Sequence, residues 1–117
     1  PLQVPSASLD FIICNSVIQH IDSHIVQTTV LRSFTRILRP GGVLLLVFKP
    51  GRELQEVYDP HYEETRYFVG HDEAKIQRTL SSMGMELVLT NGESPGVLTH
   101  FRDGKNVGHA AGFWRKS

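Results

Sequence analysis

This 117-residue sequence predicts an α/β fold with parallel strands and a closing antiparallel hairpin. Residues 43–48, Val-Leu-Leu-Leu-Val-Phe, form an apolar run without polar alternation, which is typical of a parallel strand covered on both faces. A helical pattern precedes this run, and another strand-length apolar run, residues 10–14, precedes the helix. Strand, helix and strand in this order imply a parallel pair with a right-handed crossover. Asp103-Gly104, between two extended segments, predicts a hairpin near the end of the chain.

The first helix is predicted from about residue 24 to residue 38. Asp22 or Ser23 can cap its start, because their side-chain oxygens accept hydrogen bonds from free backbone N–H groups. Apolar residues at three- and four-residue spacing predict one core-facing stripe. The stripe contains Val26, Val30, Phe34, Ile37 and Leu38.

A tight turn joins this helix to the apolar strand. Pro40 cannot continue the helix, and Gly41-Gly42 supply the positive-φ freedom that a turn needs. The helix is therefore predicted to lead directly into a central strand, residues 43–48.

The second half is predicted to alternate again between helix and strand. Residues 51–58 are predicted to hold one or two helical turns, with a break at Asp59-Pro60 and a ring-rich connection to Phe68. Acidic residues after His71 predict a helix start, and Gly84 is a suitable helix-ending residue. The buried stripe of this helix is predicted to be Ile76, Leu80 and Met83, followed by strands at 85–90, 97–102 and 107–114, with Trp114 in the core.

Composition and charge limit the class of protein. The length suits one domain, and 12 basic residues balance 12 acidic residues, so nucleic-acid binding is not indicated. The sequence shows neither a signal peptide nor an apolar run near the ~20 residues that a membrane span requires. Cys14 alone cannot form an internal disulfide and fits a reducing compartment, so we expect a cytoplasmic protein. The chain opens on Pro1 without an initiator Met, so it is expected to be a piece of a longer protein.

Candidate functional residues follow the two parallel strands, because ligands of open α/β sheets bind at the carboxyl ends of the strands. Asn15 and Ser16 follow the first strand and either bind a polar ligand or only shape the turn. His20 lies over the same edge and is either a catalytic group or a cap. His20 and His24 lack the acidic or Cys partners of a metal site, so no metal is predicted. Ser16 also lacks the Gly-x-Ser-x-Gly context of a hydrolase nucleophile.

Four passages resemble class I S-adenosylmethionine-dependent methyltransferases of the type 11 kind. Ser-Leu-Asp-Phe-Ile-Ile-Cys-Asn-Ser-Val-Ile-Gln-His-Ile, residues 8–21, resembles the fourth strand and its following loop in that family. Residues 31–48, with Arg-Ile-Leu-Arg-Pro-Gly-Gly at their centre, resemble the next helix, turn and fifth strand. Residues 67–89 resemble a later helix and the sixth strand, and residues 112–116 the closing antiparallel strand.

The resemblance covers only the C-terminal half of the family's Rossmann-like domain. The glycine-rich turn and the acidic residue that hold the cofactor belong to the N-terminal half, and this chain contains no Gly-x-Gly. The resemblance implies S-adenosyl-L-methionine as cofactor, with Asn15, Ser16 and Val17 near its methionine and adenosine portions. It also implies that His20 lies on the substrate side, as a base or an orienting group, while the methyl acceptor stays unidentified.

Three functional hypotheses remain. The first is a portion of a methyltransferase, and the second is a non-catalytic truncated homologue or partner subunit; an upstream strand followed by a Gly-rich turn would favour the first. A Rossmann-type oxidoreductase fits poorly, because the closing antiparallel strands suit the methyltransferase sheet better. The family's first strand would pair with residues 10–14, so we expect an uncovered sheet edge here and self-association through it.

Overall fold

The computed structural model describes residues 4–15, 17–18, 21–51, 54–59, 64–88, 98–102 and 108–117. The strands are β1 (Leu9–Asn15), β2 (Leu38–Phe48), β3 (Leu54–Asp59), β4 (Glu64–Val69), β5 (Met85–Val88), β6 (Thr99–Arg102) and β7 (Gly108–Lys116). One continuous helix comprises α1 (Ser23–Ile25), a π-helical segment (Val26–Val30) and α2 (Leu31–Ile37), and a second helix is α3 (Glu73–Ser82).

Within the described ranges the main sheet has five strands: four lie in the order β1-β2-β7-β5, and the fifth, β6, also pairs with β7. β1 and β2 are parallel, with Cys14 opposite Leu46, which confirms the predicted strand–helix–strand crossover. β7 runs antiparallel to β2, with Trp114 opposite Leu44, and antiparallel to β5. The closing antiparallel strands and the α/β class are therefore as predicted, while the Asp103-Gly104 turn lies outside the described residues.

The first helix contains one extra residue per turn in its middle. Asp22 caps its start by accepting a hydrogen bond from the His24 backbone N–H at 2.9 Å, as predicted. In the π-helical segment the Leu31 N–H donates to the Val26 carbonyl, five residues back. Both Val26 and Leu31 are therefore fully buried, although Leu31 is absent from the predicted stripe. A three- and four-residue spacing rule cannot find a five-residue repeat.

The two glycines after this helix meet different requirements. Gly41 has φ +84°, which confirms the positive-φ turn residue. At Gly42 the restriction is space, because an added Cβ would lie 2.8 Å from the Arg39 carbonyl oxygen and 3.2 Å from that of Asp10. The turn forms the start of β2, so the helix leads directly into the central strand.

The predicted helical turns at residues 51–58 are wrong. Residues 54–59 form strand β3, which pairs antiparallel with β4 from Leu54 opposite Val69 to Asp59 opposite Glu64. Val57 and Tyr58, and the Thr, Tyr, Phe and Val residues of β4, are β-branched or aromatic and favour strands. The predicted break at Asp59-Pro60 stays a prediction, because residues 60–63 lie outside the described residues. The ring side chains of the 58–68 connection lie outside the described side chains.

The second helix, α3, follows its predicted signals. Asp72 caps it by accepting from the Lys75 backbone N–H at 3.1 Å. Ile76 and Leu80 are fully buried, and Gly84 ends the helix with φ +81°. Met83 is only partly buried against the core. β5 begins directly after this turn, as expected for residues 85–90, of which 89 and 90 lie outside the described residues.

The two helices cover one face of the sheet. That face carries a single core, whose largest members are Trp114, Phe48, Ile18, Leu31, Leu38, Leu44, Leu46, Ile76 and Leu80. On the other face Phe11 and Ile13 of β1 are 47% and 63% exposed. The neighbouring Leu45 of β2, opposite Ile13, is half-buried. On this face of β2 Val43 and Leu45 are half-buried and Val47 is buried, so the predicted cover on both faces is complete on one face and partial on the other.

Helices long and apolar enough to cross a bilayer are not found in the described part of the chain.

Candidate functional site

Several strand ends meet at one edge of the main sheet. β1 and β2 are parallel and end together, with Asn15 opposite Val47. β7 is antiparallel to β2, with Ala110 opposite Phe48, so its amino end reaches the same edge. This carboxyl edge is where an open α/β sheet binds its ligands.

Asn15 and Val17, two of the three predicted cofactor-binding residues, lie at this edge. Asn15 is exposed at the end of β1, and Val17 is 52% exposed just beyond it. A polar amide and an apolar side chain thus stand together at the sheet edge. Ser16 and the predicted catalytic His20 lie outside the described residues, so their placement stays a prediction.

Cys14 contacts the backbone of the residues that follow β1. This side chain is buried, and its sulfur accepts hydrogen bonds from the backbone N–H groups of Ile18 and Val17. Burial raises the pKa of the Cys14 thiol above its ordinary value of 9.0, and these two N–H groups offset only part of the rise. Cys14 is therefore a neutral, structural thiol rather than a nucleophile.

His71, between β4 and α3, forms a hydrogen bond with the same loop. Its imidazole is 1% exposed, and its Nε2 lies 2.6 Å from the carbonyl oxygen of Ile18. The His71 backbone N–H donates to the Lys49 carbonyl at 2.9 Å, and the His71 carbonyl accepts from the Gly51 N–H at 3.1 Å. His71 therefore connects the end of β2 to the loop that follows β1.

The hydrogen bond to Ile18 defines the protonation state of His71. A carbonyl oxygen can only accept, so Nε2 must carry the proton. Desolvation by burial lowers the pKa of His71 below its ordinary value of 6.5, against smaller opposing effects of the Ile18 carbonyl and the Asp22 carboxylate. The ring is therefore the neutral Nε2–H tautomer. Its buried Nδ1 has no hydrogen-bond partner among the described residues.

An open depression of about 320 Å³ lies beside β2 at the same edge. Its lining consists of Pro50, His100, Phe101, Arg102, Gly108 and His109. The rings of Phe101 and His109 stack at 5.2 Å, and His100 pairs with Glu73 of α3 at 2.6 Å. The depression thus combines stacked rings with imidazole and guanidinium groups, next to the ends of β2 and β7.

A search of the described ranges for metal-binding clusters finds no group of three or more His, Cys, Asp or Glu side chains.

Comparison with known proteins gives a sequence match and a fold match. Residues 1–46 match a family described as a methyltransferase domain. None of the curated proteins compared with the chain matches it. Among solved structures, a SAM-dependent methyltransferase from Methanosarcina mazei superposes with a TM-score of 0.73 at 16% identity, over 99% of this chain and 63% of that one.

Two further structures show how widely the fold is used. A Burkholderia thailandensis 1,6-didemethyltoxoflavin-N1-methyltransferase, solved with 1,6-didemethyltoxoflavin and S-adenosylhomocysteine, gives a TM-score of 0.62 at 17% identity. The match covers 96% of this chain and 45% of that one. The cyclase SpnF gives a TM-score of 0.64 at 13% identity, over 99% of this chain and 53% of that one.

These matches show the fold. The chain has the Rossmann-like fold of the SAM-dependent methyltransferase on which it superposes, and residues 1–46 match a methyltransferase-domain family, which confirms the predicted resemblance. It spans 63% of the Methanosarcina protein, less than two thirds of its length.

Sequence reasoning missed His71 as a member of the site. Its only sequence signal is its place directly before the capping Asp72, which indicates a helix start and nothing more. The Ile18 carbonyl that it contacts is 53 residues away along the chain.

Proposed function

We propose that residues 1–117 are the C-terminal portion of a single methyltransferase domain that uses S-adenosyl-L-methionine to methylate an acceptor. The observation that carries this proposal is the strand order, in which antiparallel β7 lies between parallel strands β2 and β5. A SAM-dependent methyltransferase from Methanosarcina mazei superposes on this arrangement over 99% of the chain, with a TM-score of 0.73. The match of residues 1–46 to the methyltransferase-domain family supports the reaction class as well.

The described residues fit one wall of a cofactor site. Asn15 offers amide donor and acceptor atoms for the polar portions of the cofactor, and Val17 offers exposed apolar surface beside them. In this proposal Ser16 adds a hydroxyl between them. The contacts to the ribose and the cofactor carboxylate belong to sequence that this chain does not contain.

The chemistry proposed for this edge is positioning. S-adenosylmethionine supplies an electrophilic methyl group on a sulfonium, so the protein needs to align the acceptor and exclude water. Asn15 and Val17 orient the cofactor side, and His20 takes a proton from the acceptor or orients it. The depression lined by Phe101, Arg102 and His109 is the proposed approach of the acceptor, since it opens at the same edge.

Calorimetry of two proteins tests the proposal. The full-length protein should bind S-adenosylmethionine and transfer its methyl group, whereas the isolated chain should bind weakly or not at all. Hydrogen bonds contribute ~0.5–1.5 kcal/mol each, so losing three or more of them weakens binding by roughly one to three orders of magnitude. Micromolar binding by the isolated chain would mean that the cofactor site has been misplaced.

Two substitutions in the full-length protein separate the proposed roles. Asn15→Ala should weaken cofactor binding by roughly 2- to 10-fold, the value of one hydrogen bond. His20→Ala should lower turnover more than affinity. The matched control is His24→Ala, because His24 is exposed and its side chain is outside the proposed site. The reverse pattern for Asn15 and His20 would refute both roles.

A non-catalytic homologue or partner subunit is the second candidate. SpnF, named as a cyclase, shares the fold across 99% of this chain, so the fold alone does not fix the reaction. The exposed apolar face of β1 also suits a chain that docks on another protein. Failure of the full-length protein to bind S-adenosylmethionine would favour this candidate.

A further inference from the structure

The peptide groups on both sides of Ile18 are held at the same time. Its N–H donates to the buried sulfur of Cys14. Its carbonyl accepts from the Ile21 backbone N–H at 3.0 Å and from His71 Nε2 at 2.6 Å. Its side chain is fully buried in the core. Ile18 is therefore the anchor of the loop after β1, and His71 is the one side-chain donor to it among the described residues.

His71 is itself rigidly placed. Backbone hydrogen bonds join it to Lys49 and Gly51, and it forms a parallel bridge with Pro50. Its ring packs edge-on against Phe48, with ring centroids 6.4 Å apart. Because His71 is held against the end of β2, its hydrogen bond to Ile18 also restrains the loop after β1 relative to β2.

We propose that His71 is a positioning residue: its Nε2–H holds the Ile18 carbonyl and thereby fixes the loop after β1, which carries Val17 and directly follows Asn15. The effect on the loop rests on the geometry alone, whereas its consequence for methyl transfer rests on the proposed function. His71 touches neither cofactor nor acceptor in this proposal. It acts through the backbone of the cofactor-binding loop.

The tautomer of His71 in the unmodified chain provides the first test. Nitrogen-15 NMR of the imidazole at neutral pH distinguishes a protonated from an unprotonated ring nitrogen. We expect a protonated Nε2 and an unprotonated Nδ1. The opposite tautomer cannot donate to the Ile18 carbonyl and would overturn the proposal.

Amide hydrogen exchange provides the second test. His71→Leu removes the donor, and His71→Gln keeps an N–H donor near the position of Nε2. We expect His71→Leu to speed exchange of the Ile18 and Ile21 amides by roughly 2- to 10-fold, and His71→Gln to restore most of the protection. Amides of α3 should change less than those of the loop. Equal changes in loop and helix, or none in the loop, would contradict the proposal.

The matched control is His24→Leu, the same substitution at an exposed histidine close to the loop. It should leave exchange of the Ile18 and Ile21 amides unchanged. Acceleration by His24→Leu equal to that by His71→Leu would show that the effect is not specific to the Ile18 contact.

Turnover of the full-length protein separates this inference from the proposed function. His71→Leu should lower kcat severalfold with a smaller change in KM, and His71→Gln should recover activity. An inactive wild-type protein refutes the proposed function, while the exchange data still decide whether His71 positions the loop. Full activity in His71→Leu, together with faster loop exchange, would refute the catalytic consequence.

Discussion

Gly112 of β7 lies beneath the ring of Trp114, so Gly112→Ala should destabilise the protein. An added Cβ would lie 2.8 Å from two carbons of the Trp114 ring and 3.1 Å from Leu98 Cδ2, whereas ordinary contact begins at 3.4 Å. Trp114 is 1% exposed and lies opposite Leu44 and Leu87, so its ring is packed between neighbours on β2 and β5. Overpacking of this kind costs ~1–3 kcal/mol.

The same change also restricts the unfolded chain. Replacing Gly by Ala stabilises by ~0.4–1 kcal/mol where the folded backbone accepts it. With the midpoints of the two ranges, the net loss expected for Gly112→Ala is about 1.3 kcal/mol. Gly108→Ala is the matched control, because it lies on the same strand and an added Cβ there meets nothing within 4 Å. It should leave stability unchanged or raise it slightly.

Urea unfolding followed by fluorescence measures both variants, since Trp114 is the single tryptophan of the chain. Dilute protein limits association during the measurement. A Gly112→Ala variant as stable as the wild type would refute the packing argument, as would equal losses at both glycines. A loss larger than about 3 kcal/mol would mean that the strand, and not only the ring, has moved.

Three further predictions concern the surface, the buried histidine and a helix start. The isolated chain should self-associate, because the β1 edge is unpaired in the described chain and Phe11 and Ile13 are exposed. Light scattering should show that Ile13→Lys shifts the chain towards monomer. A wild-type chain that stays monomeric at high concentration would contradict the prediction. Because burial lowers the pKa of folded His71, the free energy of unfolding should be highest above pH 6.5 and fall as pH falls through the folded pKa, where the ring charges. Urea titrations at several pH values should show that His71→Gln lacks this part of the slope. The neighbouring charged groups are Asp22 and Lys49. Asp72→Ala removes the cap of α3 and should cost ~1 kcal/mol without changing the urea m-value; an unchanged urea midpoint would show that the Lys75 N–H finds another acceptor.

Local patterns predict the central elements well. The uninterrupted apolar run of β2, the caps Asp22 and Asp72, and the turn at Gly84 each depend on neighbours within about five residues. The parallel pairing of β1 and β2 follows because a helical crossover leaves few alternatives. These features are readable because their causes lie close together in the sequence.

Features that depend on distant partners are not readable in the same way. The 54–59 segment becomes a strand through pairing with β4, beyond Pro60. The exposure of Phe11 and Ile13 depends on which elements cross that face, and a pattern of apolar residues does not show this. His71 enters the site through a contact with Ile18, 53 residues away. Of the predicted cofactor-binding residues, Asn15 and Val17 could be placed at the edge by topology alone, because they lie at and just beyond the end of a parallel strand.

The π-helical segment at Val26–Val30 also bears on how the length of this helix can vary. A π segment corresponds to an α-helix with one inserted residue, accommodated by hydrogen bonds that reach five residues back. The insertion leaves Val26 and Leu31 buried together, although ordinary helical geometry would separate them. Removing one residue, such as the exposed Thr28, would return the segment to α-helical spacing, with Leu31 one position closer to Val26. We therefore expect the helix between Asp22 and β2 to accept the loss of one residue here while Val26 and Leu31 stay buried together.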